Sequence, residues 1–245
     1  HLNAFVYLLV GASDATARFA PAFLGVLTVG LPFFLRRELG RRGALVASAL
    51  LLISPSFMYF GRFIREDAHF AFLTLAIVVC IFRYLESRKP LHLYLFAALF
   101  ALSFLTKETT YILAATFGSF LVLWVGGELL ELFRRQPRFS AAGDVLIVLG
   151  TLTATQLGGL AILYRHLQGR AIEAYPGAED FAVLGVAFCA LVALATIIGL
   201  RWNPRLWPMV ALVFFVVYTV FFTTMFSNPA GFWTAWVLRD DWERT

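Results

Sequence analysis

A series of long apolar runs, separated by short clusters of Gly, Pro and charge, constrains this chain most. Runs of roughly 18 or more apolar residues read as membrane spans. The pattern predicts helices over residues 17–35, 44–60, 68–85, 91–106, 109–127, 145–164, 181–200 and 206–226. The expected fold is therefore all-α, a polytopic transmembrane helical bundle of about eight spans. The breaks are GRRG at 40–43, SRKP at 87–90, RRQPR at 134–138 and RWNPRLWP at 201–208. Only 14% of the residues are charged and 60% are hydrophobic, with a mean hydropathy of +0.80. A soluble domain carries about 25% charged residues. A soluble enzyme, a nucleic-acid-binding domain and a disordered tail are thereby excluded. Trp202, Trp207, Trp233 and Trp236 stand where an interfacial aromatic belt is expected.

No long linker, internal repeat or low-complexity tract divides the chain, which predicts one membrane domain over residues 1–245. Within it, residues 1–16 read as an interfacial or truncated helix. Residues 17–226 form the transmembrane core and residues 227–245 an extracytoplasmic tail. The chain opens with His1 and shows no signal-peptide pattern, so a fragment is expected. The net charge is +5. Alternating the loops places 12 of the 20 basic residues on one side with five acids, Glu38, Glu86, Glu128, Glu131 and Asp144. Short loops rich in Arg and Lys stay cytoplasmic. The loops near 61–67, 107–108, 165–180 and 227–245 are then extracytoplasmic. Cys80 and Cys189 fall mid-span, and the four histidines show no metal-ligand spacing.

Two outward turns carry the chemistry of interest. The first, Arg62-Phe63-Ile64-Arg65-Glu66-Asp67-Ala68-His69, sets two bases and two acids at a membrane boundary. Arginines hold phosphate through paired hydrogen bonds. A carboxylate binds a divalent ion or serves as a general base. The same charges also suit a solvated hairpin that only anchors two helix ends. The second turn, Leu105-Thr106-Lys107-Glu108-Thr109-Thr110, brings Lys107 to the membrane plane. There it can meet a lipid phosphate, or snorkel and pair with Glu108. Arg165 to Asp180 reads as an ordinary exposed loop. Thr223 to Gly231 reads as a helix end stopped by Pro229 and Gly231. Thr151, Thr153, Thr155 and Gln156 are mild polar residues within the sixth span, suited to bonding backbone carbonyls or a neighbouring helix. No Walker loop, GxGxxG or HExxH motif is present. No acid, Lys or Arg lies deep in a predicted span, which disfavours a coupled pump.

The segment Gly11–Ile112 resembles the GT-C superfamily of membrane glycosyltransferases. The likeness is to the branch with protein O-mannosyltransferases and lipid A aminoarabinose transferases. The stretch from GASDATARF to RFIRED reads like the family's helix, basic loop, helix and RF-x-R-x-D unit, with Glu66 where Pro is common. FLTKET matches its Thr-Lys turn. Together with FTTMFSNPAG, these pieces fit best the flippase-associated proteins of archaeal-type N-glycosylation. The likeness covers about the first 110 residues and returns at 222–231. It implies a polyprenyl-phosphate-linked sugar donor, and transfer at the extracytoplasmic face to a glycan, lipid or protein acceptor. By motif, Asp67 takes the acidic position, with Glu66 beside it, and Arg62, Arg65 and Lys107 the phosphate-holding positions, with Glu108 adjacent. A divalent cation assists some members, and Asp67 is its expected ligand here. The family's main acid usually follows an earlier span, expected upstream of His1. Asp14 does not match that motif. A non-catalytic lipid-carrier or flippase-associated protein, in contact with membrane lipid, is the alternative. A transporter without sugar chemistry is the third reading.

Overall fold

The computed structural model describes residues 6–7, 9–61, 66–134, 138–157 and 178–226, with the backbone alone for 178–184. The described residues are helical throughout and contain no strand. The helices are α1 (Asp14–Gly30), α2 (Gly40–Ile53), α3 (Pro55–Phe60), α4 (Asp67–Ser87) and α5 (Pro90–Thr106). They continue with α6 (Thr110–Val125), α7 (Ala141–Gln156), α8 (Ala178–Trp202) and α9 (Leu206–Phe222). Short 3-10 turns extend α1 over Leu31–Leu35 and α6 over Gly126–Phe133. Four of these segments are long and apolar enough to cross a membrane: Asp14–Leu35, Asp67–Ser87, Thr110–Phe133 and Gly185–Trp202. Helices Pro90–Thr106, Ala141–Gln156 and Leu206–Phe222 are apolar but shorter. In lipid, helices satisfy their own backbone groups, and that condition selects this architecture.

The helix ends follow local chemistry. α1 starts at Asp14, three residues before the expected 17, because Ser13 caps it. The Thr16 amide donates to Ser13 Oγ at 3.2 Å, and the Ser13 amide donates to Thr16 Oγ1 at 2.8 Å. The span expected at 44–60 is broken between α2 and α3. Ser54 is extended (φ −64°, ψ 117°) and precedes Pro55, which has no N–H to continue the ladder. α9 ends at Phe222 rather than 226, and Thr224, Met225 and Phe226 all have positive φ. Residues 158–164 of the sixth expected span, Arg165–Gly177 and the tail from 227 lie outside the described residues.

The chain forms two compact units, residues 1–110 and 111–245. In the first, α4 and α5 make an antiparallel hairpin turned by Arg88, whose φ is +49°. Their buried faces combine small side chains with rings: Ala76, Ala97 and Ala101 let the backbones approach, and Phe96 and Phe100 stack along α5. α1 packs on α4 and buries Ala17, Pro21, Gly25 and Thr28, spaced on one helical face.

In the second unit α7 is the core. Thirteen of its sixteen residues are buried, as expected for a helix apolar on all sides. Three aromatic donors from other helices bond to it. Trp202 Nε1 donates to Asp144 at 2.7 Å, Trp207 Nε1 to Thr151 at 3.2 Å, and the Tyr111 hydroxyl to the Gln156 carbonyl at 3.0 Å. The aromatic-belt expectation is thus corrected for Trp202 and Trp207, which are buried and hydrogen-bonded. Thr151, Thr153 and Thr155 bond backbone carbonyls of their own helix, as expected. Arg201 donates to the carbonyls of Leu132 and Arg134, tying the end of α8 to the 3-10 turn.

Candidate functional site

The first unit brings together two of the sequence-selected residues from turns forty positions apart. Lys107 Nζ donates to Asp67 Oδ1 in a direct ion pair. The hairpin makes this meeting possible. Asp67 opens α4 and Lys107 closes α5, so an antiparallel pair of helices sets both at one end. The two helix dipoles reinforce the arrangement. An anion is favoured at a helix N-terminus and a cation at a C-terminus.

Local bonds fix the lysine. Its backbone is extended, and its amide donates to the Ser103 carbonyl at 3.1 Å. Its carbonyl accepts from both the Thr110 amide at 3.1 Å and the Thr110 hydroxyl at 2.8 Å. Thr110 is fully buried, so this turn is pinned from inside the unit. Thr110 is the positioning residue that sequence reasoning passed over. Its signal was a Thr three residues after the Lys, at the start of the next helix.

The Asp67 side chain is 25% exposed and that of Lys107 36%. An ion pair this open to solvent contributes only about 0–1 kcal/mol. Glu66 and Glu108 flank the pair and are exposed. Lys107 pairs with Asp67, not with the neighbouring Glu108 of the snorkelling alternative. Arg62 and Arg65 lie outside the described residues. No group of three or more His, Cys, Asp or Glu suited to a metal ion occurs among the described residues. Asp67 meets the Lys107 ammonium there, beside no further cluster of such donors among the described residues.

The described residues thus define a helical membrane protein with a carboxylate–lysine pair at one end of a helix hairpin. A family model described as dolichyl-phosphate-mannose-protein mannosyltransferase matches residues 1–149. The match spans more than half of the chain, which belongs to this family and so to the GT-C glycosyltransferase superfamily. Searches of curated proteins and of solved structures found no match. The matched region contains both members of the ion pair. Membership supports a multi-pass membrane glycosyltransferase that draws on a polyprenyl-phosphate-linked sugar.

Proposed function

We propose that this protein transfers a sugar from a polyprenyl-phosphate donor to a glycan, lipid or protein acceptor at the extracytoplasmic face. The Asp67–Lys107 pair carries the reading. Lys107, with Arg62 and Arg65, holds the donor phosphate. Asp67, with Glu66 beside it, takes the proton from the acceptor hydroxyl. The acceptor oxygen then attacks the anomeric carbon, and the bond from that carbon to the phosphate oxygen breaks. The sugar leaves with inversion, and the electron pair stays on the polyprenyl phosphate. Cations placed where that charge grows stabilise the transition state. Glu108 lies next to Lys107 and is exposed. The excess of Arg and Lys on the opposite loops supports the orientation.

The resting ion pair also suits a second reading, a non-catalytic flippase-associated protein that binds the lipid-linked sugar, because an already compensated carboxylate can serve binding alone. The test uses the full chain in proteoliposomes with a polyprenyl-phosphate sugar labelled in the sugar. Donor bound and consumed supports transfer, with Asp67→Asn and Lys107→Ala both inactive yet folded. Donor bound and never consumed supports the second reading. Normal transfer by both variants overturns the site assignment.

A further inference from the structure

At the other end of the first unit, two turns are joined into one basic surface. Arg37, in the turn between α1 and α2, pairs directly with Glu86 near the end of α4. Glu86 also accepts from Arg83 at 3.2 Å. Glu86, one residue before the 87–90 turn, thus lies beside the 36–42 turn. The two turns and the residues beside them carry Arg36, Arg37, Arg41, Arg42, Arg83, Arg88 and Lys89, against only Glu38 and Glu86. Arg37, Arg41, Arg42, Arg88 and Lys89 are exposed.

Six of these seven cations are arginines. Arg offers a planar fork that matches phosphate oxygens in pairs, which a lysine point charge does not. The patch is also bordered by exposed apolar side chains: Phe33, Phe34, Leu39, Leu45 and Leu91. A partner that presents a phosphate and hydrocarbon together fits both features. The first turn of α2 adds to the demand for an anion. It holds Arg41 and Arg42 and no acid, and its N-cap, Leu39, offers no side-chain acceptor. Cations at a helix N-terminus oppose the dipole, and a bound anion relieves both.

We propose that the joined 36–42 and 87–90 turns form a binding site for an anionic phospholipid. The phosphodiester lies on the arginines and the acyl chains lie along the apolar border. This site is distinct from the Asp67–Lys107 end, because α4 alone separates the two by about 30 Å.

The test is native mass spectrometry of the full chain released from vesicles of equal phosphatidylglycerol and phosphatidylcholine. The wild type should retain phosphatidylglycerol preferentially. The pairs Arg41→Gln/Arg42→Gln and Arg88→Gln/Lys89→Gln should each lower that retention about thirtyfold, from the strength of basic residues at an anionic surface. The control pair Arg138→Gln/Arg205→Gln removes the same charge elsewhere and should leave retention unchanged. A repeat with Arg41→Lys/Arg42→Lys keeps the charge, and with it the orientation signal, and should still weaken binding. Four outcomes overturn the proposal: equal retention of both lipids, an equal loss in the control pair, loss from only one of the two turns, or displacement of the lipid by millimolar inorganic phosphate.

Discussion

The buried bond between Trp202 and Asp144 gives a direct test of the second unit. Trp202 Nε1 lies 2.7 Å from Asp144 Oδ1, and both side chains are buried. Hydrogen bonds to a charged group contribute about 1.5–3 kcal/mol. Trp202→Phe also removes ring volume, so the single variant mixes two effects. A double-mutant cycle with Asp144→Ala separates them, because the ring-volume cost cancels in the coupling. The expected coupling is about 1.5–3 kcal/mol. For a chain of this size that corresponds to about 3–12 °C in Tm. The assay is unfolding of the purified protein in mixed micelles, followed by circular dichroism at 222 nm. A coupling below about 0.5 kcal/mol would refute the claim that this bond joins α8 to the core helix, whatever the single variants lose.

Other predictions follow from the same contacts. A Cβ at Gly199 would fall within the Trp207 indole, whereas a Cβ at Gly150 meets nothing within 4 Å. Gly199→Ala should therefore lower stability by about 1–3 kcal/mol, and Gly150→Ala should raise it by about 0.5–1 kcal/mol; paired melting curves check both. Ser140→Ala removes the hydroxyl that accepts from the Gly143 amide at 3.0 Å and should cost about 1 kcal/mol in the same assay. Arg88 is a non-glycine residue in the left-handed region. Arg88→Gly should be more stable than Arg88→Ala by up to about 1 kcal/mol, and equal melting of these two variants would show that the turn carries no such strain.

Hydropathy alone gave the all-helical class and the approximate place of most described helices, because lipid selects for apolar length. It carries no information on how a helix is rotated. Trp202 and Trp207 therefore looked like belt residues, although they face the core helix of their unit. Asp144 was grouped with loop charges because the expected span began one residue later. The structure starts α7 at Ala141, which puts this carboxylate in the first buried turn. The Pro55 break was written in the sequence, yet an apolar run continues through it and hid the interruption. At the site, the turns near 67 and 107 were both legible as polar clusters at membrane boundaries. The pairing of Asp67 with Lys107 was not, because it depends on the hairpin of α4 and α5 and on the Thr110 bonds that set the lysine. Charge adjacency in the sequence favoured Glu108 instead.

In the proposed function Asp67 and Lys107 act in one transfer step. Single-turnover release of polyprenyl phosphate by the wild type, Asp67→Asn and Lys107→Gln, with donor binding measured on the same samples, tests this. Asp67→Asn should bind donor normally and turn over about 10²–10⁴-fold more slowly, as for a lost general base. Lys107→Gln should lose both donor affinity and rate. Unchanged release by either folded variant would refute a shared step.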